Sequence, residues 1–566
     1  MWTPDPDRTA PSGDRLEGRG DLPGGRGRPD DAFGRRERAL AALLLAAAAA
    51  LHGWHVFHWR VDADETQHLH IVWGWTQGLA QYRDVFANNM PLFHLLCAPA
   101  LASIGETPDI VPFMRLWMVP LAVATLLGTY TIARRLFSAR VGLWAVVFLA
   151  WFPPFSLVAV QFRTDVLWGA AATWSAATFV GGGIRPRRAF ASGLFAGAAV
   201  AVSQRTVWLY AALVIALLEL LLLIPGLRTR AALRRGFALG CAFAAGSLVV
   251  PLLLAAFLLS RGLFDDLVRW AFEFNAIADV DRSRASGLWW IAFALALAAL
   301  GWGARAFLRR APSPDLGLKR AAVLLVAGSF GAVFWTFSPT LHQGALLPMV
   351  PLFAAVLTRR VMVARPLPFL LAELALLVGM HHRYREDLRP EEQARLLRDV
   401  LAVTDRDDYV LDRKGETVFR RRPYFYAMVI ITKERFRRGL LRDDVAERVV
   451  ETGTCVATAD LRGFPPAARA FLERNFVVCG PLRVAGRTLR DAATGSLAPI
   501  PFDVEIAARY VVVTEGGAAR GSLDGVPLDG ARELSRGPHV YAPAPGEGRL
   551  SLAWAQAIER GLSVRW

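Results

Sequence analysis

Lysine is almost missing from a strongly basic chain. Of 65 basic residues among 566, only Lys319, Lys414 and Lys433 are lysine. Cytosolic loops accept either cation equally well, so we attribute this bias to genome composition and infer no chemistry from it.

Cysteine is also scarce, with four in the whole chain. Cys97 and Cys241 lie in apolar surroundings, so the only disulfide in question is one between Cys455 and Cys479. A bridge and two small buried thiols are both open alternatives for that pair.

The N-terminal stretch lacks the short apolar segment and small-residue cleavage site of a signal peptide. Residues 1 to 38 are instead rich in Gly, Pro and charge, and we expect a disordered cytosolic tail.

Apolar residues make up 54% of the chain, in runs of about twenty, the length that spans a bilayer. A net charge of +16 would suggest a nucleic-acid partner in a soluble protein. Here the arginines cluster in short loops between apolar runs, so we interpret the charge as membrane topology and expect no nucleic acid.

We predict a mainly α fold, a polytopic transmembrane bundle of about eleven spans. The spans lie near residues 39–58, 111–133, 140–158, 165–182, 189–204, 206–224, 237–259, 288–306, 321–337, 343–358 and 362–379. Arg-rich loops at 134–140, 185–188, 228–235, 305–320 and 358–360 then all face the cytosol, as the positive-inside rule requires. This pattern predicts a multi-pass protein of the cell membrane, with residues 91–105 as interfacial helices in a first external loop, 59–110.

After residue 380 the composition becomes that of a soluble protein. The pattern predicts an extracytoplasmic α/β domain over 381–495 and a small β-rich, sandwich-like domain over 496–566, following a transmembrane domain over 39–380.

Polar residues gather on the predicted external side. RVDADETQHLH, residues 60 to 70, is followed by YRDVFANNMPLFH, 82 to 94, and by QFRTD, which ends at Asp165. Asp64 and His68 are four residues apart and share a face if this stretch is helical. A solvated interfacial helix explains the spacing equally well.

The order of these motifs resembles one family. An Asp-Glu pair after the first span, Tyr-Arg-Asp-x-Phe-x-Asn-x-x-Pro-Leu-Phe, an Arg-rich loop, Arg-Thr-Asp at the third span and SPTLHQGALLPMVPLFA together resemble the C-type (GT-C) membrane glycosyltransferases. The branch is that of protein O-mannosyltransferases and lipid A aminoarabinose transferases, similar to glycosyltransferase family 39. The resemblance covers roughly residues 39 to 360, and it departs at Asn89-Met90, where many relatives have a His-Pro or Lys-Pro pair.

The resemblance implies an enzyme that moves a sugar from a polyprenyl-phosphate donor to a glycan, lipid or protein acceptor outside the membrane. Inverting transfer needs a carboxylate to take the acceptor's proton and cations to stabilise the departing phosphate. On the family pattern Asp64 is the base, Glu65 positions Asp64 or binds the sugar, and Asp165 is the second acid. Two adjacent acids tend to raise one another's pKa, which favours a stronger base.

Donor-binding candidates are mostly arginines, because guanidinium suits phosphate. They are Arg83, Arg163 and Arg205, together with His68 and His342. Arg205 could equally snorkel between two spans, Arg83 could form a surface ion pair with Asp84, and His342 could be an interfacial cap.

No cofactor is implied, but a divalent metal is a minor alternative. His55 and His58, three residues apart, could bind zinc or another divalent metal with Asp62 or Asp64. At such positions, however, interfacial aromatic-like residues are commoner than metal sites.

Two other function classes stay open. A transporter or flippase of lipid-linked saccharides would place polar groups at the bilayer midplane, whereas this chain places them at one face. A non-catalytic membrane protein that binds polysaccharide would not need both acids of the family pattern.

Overall fold

The computed structural model describes residues 34–183, 185–276, 287–337, 343–358, 360–491 and 496–566. Its helices, in chain order, are α1 (Arg35–His58), α2 (Ala63–Thr76), α3 (Leu92–Ile104), α4 (Ile110–Leu116), α5 (Val119–Leu136), α6 (Ala139–Trp151), α7 (Pro153–Ser156), α8 (Thr164–Val180), α9 (Pro186–Val202), α10 (Thr206–Leu223), α11 (Arg230–Ser260), α12 (Phe264–Leu267), α13 (Gly287–Arg310), α14 (Pro314–Phe337), α15 (Val350–Leu357), α16 (Arg360–Ala364), α17 (Pro366–Arg383), α18 (Pro390–Val403), α19 (Ile430–Arg437), α20 (Val445–Glu451), α21 (Pro466–Asn475) and α22 (Ala555–Glu559).

Among the described residues, six helical segments are long and apolar enough to cross a membrane. They are Arg35–His58, Ile110–Leu136, Thr206–Leu223, Arg230–Ser260, Trp290–Arg310 and Pro314–Thr336. This is the pattern of a polytopic membrane protein. Each of the eleven predicted spans coincides with helix, and α1 begins at Arg35 rather than at residue 39. The number of spans that cross stays a prediction.

Small residues allow close packing of α9 against α11. A Cβ on Gly193 would lie 2.1 Å from the carbonyl oxygen of Phe243, and one on Gly246 would lie 2.1 Å from that of Phe190. Glycine at both positions therefore lets the two backbones approach, as in many membrane helix pairs.

The first long loop, residues 59 to 110, is itself helical. It contains α2 and α3, and α3 occupies the stretch predicted to form interfacial helices. Leu69 of α2 and Phe93 of α3 are fully buried in the largest apolar cluster of the bundle. The loop is therefore part of the folded core.

Residues 384 to 566, the C-terminal region, carry all of the strands assigned within the described chain. They are β1 (Val410–Leu411), β2 (Val456–Thr458), β3 (Phe476–Cys479), β4 (Leu482–Arg490), β5 (Ile500–Val504), β6 (Ala508–Thr514), β7 (Gly517–Ala518), β8 (Ser522–Leu523), β9 (Val526–Pro527), β10 (Arg532–Leu534), β11 (Gly537–Ala542) and β12 (Leu550–Trp554). The predicted fold class, mainly α with a C-terminal α/β and β-rich region, is confirmed.

Two sheets organise this region. One has the order β1-β2-β4-β12-β6-β10, with β3 on β4 and β7 on β6, and the other has the order β5-β11-β8-β9. Among the strands of the described residues, β1 and β2 are the one parallel pair. Because β12 pairs with both β4 and β6, strands from residues 381–495 and 496–566 share one sheet.

The C-terminal region packs directly on the bundle. Leu397 of α18, together with Val418 and Phe419 from the segment after β1, belongs to the same buried cluster as Leu69 and Phe93. Cys455 and Cys479 are both buried free thiols, so this pair forms two separate thiols rather than a disulfide.

Candidate functional site

The N-terminus of α2 is fixed by a capping box. The Asp62 side chain accepts the backbone N–H of Asp64 at 3.0 Å, and the Glu65 side chain accepts that of Asp62 at 3.0 Å. This reciprocal pair is a strong helix start signal. It places Asp64 in the first turn, where the helix dipole favours a negative charge.

Glu65 lies in a buried ion pair with Arg115 of α4. Both side chains are fully buried, and Arg115 donates to the two carboxylate oxygens at 2.6 and 2.7 Å. Arg115 also donates to the carbonyl oxygens of Trp59 and Arg60 at the end of α1, and the N–H of Phe162 donates to Glu65. These contacts favour the positioning alternative for Glu65, because its oxygens hold α1, α2 and α4 together.

Arg163 lies at the centre of three aspartates, which we call the aspartate cluster: Asp62, Asp64 and Asp165. Its guanidinium reaches Asp62 at 2.6 Å, Asp64 at 2.7 Å and Asp165 at 3.0 Å. The Arg163 side chain is 7% exposed. Sequence positions 62–64 and 163–165 therefore meet in one site, held by a buried guanidinium fork.

The three carboxylates differ in exposure. The side chain of Asp64 is 34% exposed, that of Asp62 19% and that of Asp165 5%. Asp64 is therefore the acid of the cluster that a substrate can reach most easily.

Lys414, from the C-terminal region, contacts one carboxylate oxygen of Asp64, and Arg163 contacts the other. Burial raises the pKa of Asp64, but Lys414 and Arg163 outweigh it, and the pKa lies well below its ordinary value. The expected increase of this pKa by the neighbouring acid is therefore wrong, because Lys414 and Arg163 contact Asp64 directly, whereas the charge of Glu65 is paired with Arg115.

A tight loop presents Lys414 to the cluster. Asp412 is fully buried and accepts the backbone N–H groups of Gly415 and Thr417, each at 2.8 Å, while Arg422 approaches it at 2.7 Å. Gly415 has φ +89°, and a Cβ there would lie 2.8 Å from that of His70 on α2. Only glycine fits this contact, which docks the loop onto α2.

Arg205 joins the cluster from the start of α10. Its guanidinium lies 3.5 Å from Asp165, and its side chain is 30% exposed. Gly344 packs against Asp165 from the other side, since a Cβ there would lie 2.5 Å from the carboxylate. His342, two residues earlier, lies outside the described residues.

His68 is buried one turn after Asp64. Its Nδ1 lies 2.9 Å from Nε2 of His94 on α3, and burial lowers its pKa to about 4. The ring is therefore neutral at physiological pH. The nearby charges of Asp64 and Arg163 influence its pKa, so it lies beside the cluster.

Arg83 is not brought to the cluster. It pairs with Asp266 at 2.8 Å and donates to the carbonyl oxygen of Gly262, while Asp84 accepts the backbone N–H of Ala80. Arg83 is an ion-pair partner as expected, but its acid is Asp266 rather than Asp84.

The histidines of α1 have other partners. His55 lies 3.0 Å from the Ser156 carbonyl oxygen and 3.0 Å from His381, and His58 pairs with Glu391 at 3.1 Å. The described residues contain no group of three or more His, Cys, Asp or Glu side chains arranged to hold a metal ion.

Sequence reasoning missed Lys414 and Arg115. The lysine had one available signal: it is one of three in the chain, within the tight-turn sequence DRKGET. Its distance of 350 positions from Asp64 hid the contact. Arg115 lies in an apolar run and had no polar neighbour to mark it.

No protein-family model matches the chain, and no curated protein sequence matches it. Similar solved structures include ArnT from Cupriavidus metallidurans bound to undecaprenyl phosphate, with 15% identity and a TM-score of 0.43 over 65% of this chain and 66% of that one. The match thus spans just under two thirds of the ArnT chain. The apo oligosaccharyltransferase of Archaeoglobus fulgidus has 11% identity and a TM-score of 0.44 over 89% of this chain and 76% of that one. Both are C-type membrane glycosyltransferases, the class that the sequence motifs resemble.

Proposed function

We propose that this protein is an integral membrane glycosyltransferase. It moves a sugar from a polyprenyl-phosphate donor to a hydroxyl of a glycan, lipid or protein acceptor, at the outer face of the cell membrane. The observation that carries the proposal is the aspartate cluster, in which the partly exposed carboxylate of Asp64 contacts Arg163 and Lys414, while Asp165 contacts Arg163 and Arg205.

The chemistry is a single displacement with inversion. Asp64 accepts the proton of the acceptor hydroxyl while the oxygen of that hydroxyl attacks the anomeric carbon of the donor sugar. The bond from that carbon to the phosphate oxygen breaks, and polyprenyl phosphate leaves with both electrons. A positioned base contributes about a hundredfold to ten-thousandfold to such a step.

Lys414 and Arg205 are the proposed phosphate-binding groups. Their side chains are 16% and 30% exposed, whereas Arg163 is more deeply buried among the carboxylates. A donor phosphate competes with Asp64 for Lys414. Loss of that contact raises the pKa of Asp64, so donor binding converts a weak base into a stronger one.

Asp165 and Glu65 are proposed to act as positioning residues. Asp165 is buried and contacts both Arg163 and Arg205. Glu65 anchors α2 through Arg115. Neither carboxylate is as accessible as that of Asp64.

Apolar space between the helices fits the lipid part of such a donor. A cavity of about 650 Å³ is lined by apolar side chains of α1, α5 and α6 and reaches Val160, three residues before Arg163. An isoprenoid chain is apolar, and its phosphate head would lie at the end of the helices, where the cluster is.

The position of the cluster favours a transferase over a transporter. Asp64 lies in the first turn of α2, Asp165 in the first turn of α8, and Arg205 immediately before α10. From these ends α8 and α10 continue without a break for 17 and 18 residues, whereas transporter sites are built where membrane helices are broken.

The test uses the full chain in proteoliposomes with a panel of radiolabelled polyprenyl-phosphate sugars and membrane glycan acceptors. Asp64→Asn is expected to lower transfer by about a hundredfold or more, and Asp165→Asn to lower it as well. Asp109→Asn is the matched control, because this exposed aspartate of the same loop makes no capping hydrogen bond. Undiminished transfer in both site variants would disprove the mechanism.

A further inference from the structure

A polar cavity, separate from the aspartate cluster, lies between the first long loop and the C-terminal region. Its volume is about 300 Å³, and its walls come from the second half of α2, residues 79 to 86, residues 421 to 425 and the end of α20. Aromatic rings form much of this wall: Trp73, Phe86, Tyr409, Tyr424 and Phe425.

Arg422 Nε of this wall is held in an ion pair with Asp412, and two further buried polar atoms have no hydrogen-bond partner within the described part of the chain. They are the indole N–H of Trp73 and the hydroxyl of Tyr424, whose residues are 3% and 2% exposed. Buried polar groups in proteins are nearly always paired. An indole N–H can only donate, whereas a phenol can donate and accept, so together they suit a ligand that carries hydroxyl groups.

The charges of the cavity favour a neutral ligand over a phosphate. Arg422 pairs with Asp412 at 2.7 Å, and Arg448 pairs with Asp444 at 3.2 Å and with Glu451 at 2.9 Å. Arg421 and Asp84 are exposed at the same wall and have opposite signs. Two of the three arginines in the wall are thus paired with carboxylates, and the third, Arg421, is accompanied by Asp84 of opposite charge, so the cavity offers donors and acceptors rather than a field of one sign.

We propose that this cavity binds a saccharide. The apolar C–H faces of a sugar ring stack on aromatic side chains, and its hydroxyls both donate and accept, which matches rings interleaved with Arg421, Asp84, Trp73 and Tyr424. The cavity is large enough for one or two sugar units and mixes apolar surface with a few polar groups, as ligand pockets do.

Helix α2 connects the cavity to the aspartate cluster. Asp64 is in its first turn and Trp73 near its end, a separation of about 14 Å at 1.5 Å per residue. An oligosaccharide can span that distance with one end in the cavity and a hydroxyl at Asp64. We assign the cavity to the acceptor glycan, and this assignment rests on the proposed function. The proposal that the cavity binds a saccharide does not depend on the proposed function.

Binding is measured by saturation-transfer NMR on the full-length protein in nanodiscs. The probes are methyl glycosides of glucose, galactose, mannose and arabinose, their disaccharides, and inorganic phosphate. Tyr424→Phe removes one hydroxyl and is expected to weaken saccharide binding about three- to tenfold. Arg421→Ala, at an exposed position, is expected to weaken it to a similar extent without affecting folding. The matched control is Tyr426→Phe, two residues along, whose ring contacts Tyr424 but does not line the cavity.

The proposal is overturned if no saccharide of the panel binds, or if Tyr424→Phe and Arg421→Ala bind as tightly as the unmodified protein. Binding of inorganic phosphate alone, weakened by Arg421→Ala, would show an anion site and would also overturn it. Asp64→Asn separates the two proposals, since it is expected to lose transfer and keep saccharide binding. Full transfer by Asp64→Asn with weakened binding by Tyr424→Phe would disprove the reaction and leave the saccharide site in place.

Discussion

Lys414 of the C-terminal region contacts the carboxylate of Asp64 on α2, across 350 positions of sequence. The most accessible acid of the aspartate cluster is thus held by a cation from a different part of the fold. This contact, together with that of Arg163, lowers the pKa of the proposed base, and it is one of the contacts between the C-terminal region and α2.

Replacement of Lys414 is expected to move the pH profile. Burial raises the pKa of Asp64, while Lys414 and Arg163 lower it well below its ordinary value, so the carboxylate stays ionised until the pH falls through that lowered pKa. In Lys414→Met the pKa rises, and the acidic limb of kcat/KM shifts to higher pH. The control Arg549→Met replaces the cation of a solvent-exposed ion pair with Glu515 and is expected to leave the limb unchanged. Superimposable profiles for Lys414→Met and the unmodified protein would contradict this prediction.

Replacement of Arg163 is expected to destabilise the site. Arg163→Met leaves three carboxylates without their central cation, and breaking a buried pair costs about 3–5 kcal/mol. We expect a lower Tm in detergent and no transfer activity. Arg163→Lys keeps the positive charge but loses the forked guanidinium, so its Tm is expected to lie between that of Arg163→Met and that of the unmodified protein. Arg509→Met, at an ion pair with both side chains about half exposed, is the control and should change stability by about 0–1 kcal/mol. An unchanged Tm for Arg163→Met would refute the central role of this guanidinium.

The Glu65–Arg115 pair is expected to contribute to stability more than to the chemical step. Both side chains are fully buried, so Arg115→Met leaves a buried charge and is expected to lower the free energy of unfolding by about 3–5 kcal/mol. Glu386→Gln, at an 84% exposed side chain, should have almost no effect. Chemical denaturation in detergent measures the difference. Wild-type stability for Arg115→Met would show that α1, α2 and α4 do not depend on this pair.

Asp412 is expected to act on catalysis through Lys414. Burial raises the pKa of Asp412, but Arg422, His70 and the backbone N–H groups of Thr417 and Gly415 lower it overall. Such a group stabilises the fold above its ordinary pKa, and the stabilisation is lost as the pH falls through the lowered value. Asp412→Asn is therefore expected to be less stable at neutral pH, with a difference that shrinks in acid, and to show a raised KM for the donor. Circular dichroism melts against pH and donor titrations check both effects. A pH-independent difference in stability would refute the ionic role.

The elements that sequence patterns predicted best are those set by local chemistry. The apolar runs became helices, because hydrophobic length depends on neighbouring residues. The capping box of Asp62 and Glu65 is equally local, but in this stretch the helix prediction rested only on the spacing of Asp64 and His68. Asp64 and Asp165 were paired through the order of motifs, and Arg163 joins them.

The rest of the site depends on tertiary contacts that no local pattern encodes. The scarcity of lysine was attributed to genome composition and Lys414 was given no role, because nothing near this residue in sequence points to α2. Arg83 was placed with the phosphate ligands from its motif, but its partner Asp266 follows α11. The pKa of Asp64 was predicted in the wrong direction, because it depends on two cations that are distant in sequence. Arg163 lies 99 positions from Asp64 and Lys414 lies 350 positions from it.

The position of β12 has a consequence for biosynthesis. Leu550–Trp554 is the strand between β4 and β6, so the main sheet has a gap at its centre until these residues have left the ribosome and paired. The DRKGET turn emerges more than a hundred residues earlier but belongs to the region that this strand completes. The main sheet is therefore completed only after residues 550–554 have been synthesised, more than a hundred residues after the turn that carries Lys414.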